Sequence, residues 1–160
     1  MKKAKNYLIA MLLPAFIFAG CGGGSEEPEL TDQQKATKAL TGSWGGARKV
    51  TIDSPPKNLE ESDYQSLNSL KLTFNSEKNE PTSFVANGGG QIFPNVVGGS
   101  WEWSSSDVIA ITGGEISQLT GFKFLPGRDN ATAIQFTFHY DQAAGKVLDL
   151  SGDYTVTLSK

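Results

Sequence analysis

The chain carries one thiol, Cys21, and one imidazole, His139. A lone histidine does not build the metal sites that need two or more imidazoles, and no H-x-x-x-H spacing occurs. A nucleophilic triad is no better served, since no G-x-S-x-G elbow is present. In AIQFTFHY, His139 alternates with Phe138 and Tyr140, which sends it to solvent. The 18 glycines form neither a phosphate-cradling G-x-x-x-x-G-K-[ST] nor a strand-to-helix G-x-G-x-x-G, and the acids never reach calcium-loop spacing. Glu102, between Trp101 and Trp103, is the most suggestive carboxylate. Tryptophans stack on sugars, and a second acid about 5–9 Å away could complete a glycosidase pair. Alternation instead sends both rings to one face, the core, and Glu102 to the other. The expectation is a protein without a catalytic centre, metal or cofactor.

Cys21 carries chemistry of another kind. Residues 1–20 open with Lys2, Lys3 and Lys5 and continue into YLIAMLLPAFIFAG, an apolar run ending in small residues. A positive start, a short apolar middle and a small-residue exit make a secretory signal peptide. The run is too short for a membrane span of roughly 20 apolar residues and contains Pro14. It holds three of the 14 basic residues and none of the 17 acids, so residues 21–160 carry a net charge near −6. That balance argues against nucleic acid and against electrostatic adhesion to anionic lipid. With no cysteine after Cys21, an internal disulfide is impossible, and apolar burial alone must hold the domain.

Phe18-Ala19-Gly20-Cys21 resembles the lipobox of bacterial lipoproteins, with Phe18 standing where leucine is usual. The resemblance implies lipidation at Cys21, whose thiolate is the nucleophile for the thioether bond. Two or three acyl chains then anchor stably at roughly 0.8 kcal/mol per buried CH₂. Gly22-Gly23-Gly24 makes a flexible leash within a tether over 21–30. Ser25-Glu26-Glu27 resembles the short acidic export signal of surface lipoproteins of Bacteroidota, which implies the outer membrane and display at the cell surface.

Beyond the tether, local pattern defines the scaffold. Leu30 to Leu40 reads as a short helix, with a Thr31-x-x-Gln34 capping box and a stop at Gly42. From Trp44 the apolar period changes to two. Leu70, Leu72 and Phe74 share a face, as do Trp101 with Trp103, and Phe122 with Phe124. So do Ile134, Phe136, Phe138 and Tyr140, and likewise Tyr154, Val156 and Leu158. Turn residues separate strands predicted near 44–52, 69–75, 82–86, 99–104, 107–112, 118–125, 131–140 and 150–159. Residues 57–67 form a loop or one to two helical turns. A lone helix followed by evenly spaced antiparallel strands predicts an all-β domain over 31–160, a meander closing as a barrel, with a β-sandwich as the alternative.

Gly42-Ser43-Trp44, opening the first strand after a short helix, resembles the G-x-W motif of lipocalins and related calycins. GGSWEWSSSDVIAITGG and the terminal LSGDYTVTLSK resemble small lipocalin-like lipoproteins of Bacteroidota. The resemblance spans roughly Leu40 to Lys160 and implies an eight-stranded barrel with Trp44 plugging its closed end. It also implies an arginine near the last strand, packed over that tryptophan. The arginines are Arg48 and Arg128, and the final strand offers only Lys160.

The function expected is a membrane-anchored, non-enzymatic lipoprotein. It binds a small apolar or amphipathic ligand at a barrel mouth lined by Trp101, Trp103, Phe122, Phe136 and Phe138, or a surface protein partner. A barrel filled by its own side chains would instead bind through loops such as 87–99, whose glycines indicate mobility. The alternative is a carbohydrate-binding or adhesion module of a surface polysaccharide system.

Overall fold

Thr31 starts the first element as the spacing predicts. Its hydroxyl accepts from the Gln34 amide at 3.2 Å, and the Gln34 side chain accepts from the Thr31 amide at 3.0 Å. This reciprocal cap opens helix α1, Asp32–Leu40. Such a cap stabilises a helix end by about 1 kcal/mol. The computed structural model describes residues 29–47, 49–57 and 59–160. Cys21, the 1–20 segment and most of the 21–30 tether lie outside the described residues.

Past α1 the chain forms β1 (Gly42–Gly45), β2 (Val50–Ser54), β3 (Lys71–Glu77), β4 (Glu80–Asn87), β5 (Val96–Trp103), β6 (Ile109–Ile111), β7 (Gln118–Leu125), β8 (Ala133–Tyr140) and β9 (Gly152–Ser159). A short helix α2, Glu61–Tyr64, runs into a 3₁₀ turn, Gln65–Ser69. All nine strands join one antiparallel sheet in the order β1-β3-β4-β5-β6-β7-β8-β9-β2. The two ends of that order are consecutive in the chain. β1 pairs with β3 (Trp44 opposite Leu72), and β2 pairs with β9 (Val50 opposite Leu158). One interrupted segment therefore joins both edges, and the sheet curls into a nearly closed barrel rather than a sandwich.

The strand predicted over 44–52 is thus two strands. Gly45 has φ +80 and Gly46 φ +98, a backbone that an L side chain resists. A Cβ on Gly45 would collide with the Leu70 carbonyl oxygen. The Gly46 amide donates to that same oxygen at 2.7 Å. The break lets the chain leave β3 and meet β9. Further register shifts in β3, β4 and β7 bend the strands around the barrel.

Inward residues follow the predicted alternation. Leu72, Phe74, Phe84, Ile134, Phe136, Tyr154, Val156 and Leu158 are all 0 % exposed. Each such side chain stabilises the fold by about 1.5–3 kcal/mol relative to exposure. Both ends are also covered. At one end α1 is tied to the strand ends by Gln34 to Glu80 (3.0 Å) and Thr41 to Ser76 (2.8 Å). At the other end, Leu67, Ile92, Phe93, Ile116 and Leu150 from four different connections are buried. Gly88, Gly89 and Gly90 correct the expectation of a loose 87–99 loop. A Cβ at any of them would run into Ser69, Phe93 or Ser66 respectively, so these glycines permit close packing.

Candidate functional site

The five rings expected at a barrel mouth lie in the core. Trp101 (3 %), Phe122 (5 %), Phe136 (0 %) and Phe138 (1 %) are buried, and Trp103 is half-buried. They form an unbroken aromatic train. Phe74 meets Trp101 (5.2 Å between centroids), Trp101 meets Trp103 (5.9 Å) and Trp103 meets Phe122 (5.6 Å). Phe122 then meets Phe136 (6.2 Å), Phe136 meets Phe138 (6.4 Å), and Phe138 meets Tyr154 (5.5 Å). Such spacings are those of rings in contact. The interior along this train is occupied by the protein's own side chains.

Each indole N–H is satisfied inside the fold. Trp44, fully buried, donates to the Leu40 carbonyl at 2.7 Å. Trp101 donates to the Asn75 carbonyl at 2.7 Å. Trp103 donates to the Thr37 hydroxyl at 3.0 Å, and Thr37 is the one buried polar residue among those described. α1 thus touches two tryptophans through one turn, Thr37 to Leu40. Lys160, following β9, places its ammonium 4.4 Å from the centre of the Trp44 ring. The lipocalin resemblance implies an arginine over this ring, and the residue found there is a lysine.

Clefts open at both ends of the barrel, and those that touch an expected ligand residue lie beside α1. A cleft of about 460 Å³ opens between the helix and the β5–β6 connection, with Ala36 and Trp103 as its apolar walls. Asp32, Arg128 and Ser104 to Ser106 rim it. A second cleft of about 550 Å³ also touches Trp103 and is lined by Glu80, Pro81, Ser100 and Glu102. Trp103 and Gln33 belong to both, so the two form one groove around the half-buried indole. Trp103 is the predicted ligand residue that reaches it most openly. The groove's helix side is invisible in the sequence, because only pairing in space brings Gln33 and Ala36 to Trp103.

A third cleft, of about 460 Å³, contains Lys35, Lys38, Arg128 and Lys160. Its cations are largely occupied. Lys35 pairs with Glu29 at 3.0 Å, and Arg128 lies 3.6 Å from Asp32 and 3.9 Å from Asp129. Lys160 caps Trp44.

His139 faces solvent as predicted, but not alone. Its Nδ1 lies 2.8 Å from Asp153 and its Nε2 3.1 Å from Asp141. The hydrogen bond to Asp153, then that to Asp141, raises its pKa above the ordinary 6.5. Buried Tyr154 donates to the Leu150 carbonyl at 2.7 Å, and burial pushes its pKa up to about 12. Neither group lies beside the Trp103 groove.

Among the described residues, no group of three or more His, Cys, Asp or Glu side chains is placed to hold a metal ion. Among the described residues no helix is long and apolar enough to cross a membrane. Compared with protein-family models, with curated proteins and with solved structures, the chain finds no match.

Proposed function

We propose that this chain is a lipid-anchored outer-membrane lipoprotein, displayed at the cell surface. Its lipocalin-like barrel acts as a solid scaffold and captures a small amphipathic ligand in the groove around Trp103. Cys21 carries the acyl chains, and the tether delivers the domain at its α1 end. The lipocalin likeness rests on Lys160 over Trp44 in a barrel that follows a short helix and Gly42-Ser43-Trp44. The observation that carries the exterior site is the aromatic train from Phe74 to Tyr154, which occupies the lumen and leaves the groove as the concave surface next to an expected ligand residue. A lumen guest is therefore the less favoured ligand geometry.

A protein partner is the second reading. Val147 and Leu148, at 109 % and 43 % exposure, stand on the β8–β9 connection at the end opposite α1. Apolar side chains so placed are a contact surface on the outward side of an anchored domain.

Two measurements test the proposal. Cys21→Ser should move the protein from the membrane fraction to the soluble fraction, and unchanged membrane association would refute the anchor. Ala36→Phe, which fills the groove from the helix side, should abolish release of a co-purified small molecule seen by native mass spectrometry. An unaltered ligand signal would refute the groove.

A further inference from the structure

We infer that the Trp103 groove binds an uncharged oligosaccharide of at least two pyranose units. This inference rests on the exterior-groove reading and narrows its ligand class. The indole has committed its one donor to Thr37, so it offers the groove carbon only. The ring is also rigid, wedged by edge contacts against Trp101 at 72° and Phe122 at 87°. A fixed aromatic surface without a free polar atom suits a partner presenting C–H groups, as one face of a pyranose does.

Around that ring the chemistry is polar and of both kinds. Gln33, Ser104 and Arg128 bring donors, while Asp32, Glu80 and Glu102 bring acceptors. Hydroxyls, which donate and accept, are matched by such a mixed rim. The sign of charge narrows the class further. Arg128 is answered by Asp32 at 3.6 Å, leaving Glu80 and Glu102 to make the groove acidic. Uronic or sialic acids are therefore repelled. The length is set by shape, because two clefts of about 460 and 550 Å³ share Trp103 and Gln33. A pocket of a few hundred Å³ holds a small ligand, so two adjoining clefts that share Trp103 have room for more than one saccharide unit.

The test is a titration of the purified full-length protein in a detergent without a sugar headgroup. Neutral glucose, galactose and N-acetylglucosamine oligomers, their uronic-acid counterparts, choline and a long-chain fatty acid are compared by tryptophan fluorescence and calorimetry. A neutral oligomer is expected to bind saturably, with the dimer or longer at least tenfold tighter than the monosaccharide. Trp103→Ala should weaken it at least tenfold. Glu102→Gln, at an exposed position that leaves folding intact, should weaken it about three- to tenfold, as expected when a charged acceptor becomes a neutral one. Tighter binding of the uronic-acid oligomers, or choline binding in preference to any sugar, overturns the inference. If only the fatty acid binds and Ala36→Phe blocks it, the saccharide is refuted while the exterior groove survives. If the fatty acid binds regardless of Ala36→Phe, or nothing binds, the groove fails as well.

Discussion

The ammonium of Lys160 sits 4.4 Å from the centre of the Trp44 ring, joining the residue beyond β9 to β1. The Lys160 amide donates to the Thr132 carbonyl at 3.0 Å, which fixes where the side chain begins. A cation over an indole at an exposed position stabilises by about 0.5–1 kcal/mol. Lys160→Ala should therefore lower the unfolding free energy by about 0.5–1 kcal/mol, read from the urea midpoint. Lys160→Arg should retain it.

Thr37 is the lone support of the Trp103 indole N–H. Thr37→Val keeps the shape and removes the acceptor. Leaving a buried donor unsatisfied costs about 1–3 kcal/mol. Denaturant melts should show that loss, together with a shifted indole N–H resonance for Trp103 while that of Trp44 stays in place.

Gly45 and Gly46 have similar positive φ, +80 and +98, but different surroundings. Gly46 faces open space, so Gly46→Ala should cost only the left-handed backbone, about 1–2 kcal/mol. Gly45→Ala adds a collision with the Leu70 carbonyl and should cost about 3 kcal/mol or more. Equal thermal shifts for the two variants would contradict the close approach.

Phe136 stands mid-train, 0 % exposed, between Phe122 and Phe138. Phe136→Ala should cost about 3–5 kcal/mol and open an apolar void. A void lined by such rings stays dry and accepts small apolar molecules. Benzene should therefore raise the melting temperature of this variant and leave that of the parent unchanged.

His139 is the sole histidine, so its titration gives one resolvable ring resonance. Its folded pKa is raised by Asp153 and then Asp141. A raised folded value means that the stabilisation is fully present below the unfolded value, near 6.5, and is lost as pH rises through the folded value. Stability should fall across the window beginning near pH 6.5. Asp153→Asn should flatten that fall and lower the imidazole pKa followed by NMR.

Much of this architecture is written in period-two alternation. Leu70-Leu72-Phe74, Ile134-Phe136-Phe138-Tyr140 and Tyr154-Val156-Leu158 are buried as the pattern demands, because an antiparallel strand with one wet face leaves no other arrangement. The capping box at Thr31 is equally local, and it holds. What escapes the sequence depends on partners far along the chain. The hairpin between β3 and β4 turns on Lys78 and Asn79, at φ 52 and 64, without the glycine that normally marks such a turn. The strands predicted at 69–75 and 82–86 therefore fall short of the observed ends. Thr37 reads as an ordinary polar helix residue until Trp103, 66 positions away, supplies its reason to be buried. The Gly88-Gly89-Gly90 run reads as slack, although Ser66, Ser69 and Phe93 crowd against it. Of the groove, Trp101, Glu102 and Trp103 stand out in sequence, whereas Gln33 and Ala36 of α1 do not.

The segment carrying β1 and β2 has a consequence for how the molecule is made. Val50 waits for Leu158, and Thr51 waits for Thr157, more than a hundred positions later. Local helices and hairpins can assemble while the polypeptide is still emerging, but the seam cannot be sewn until its final residues arrive. Until then two unpaired margins stay open. A barrel closed in this way stays pliable while β9 is missing and locks only when that strand is laid in place.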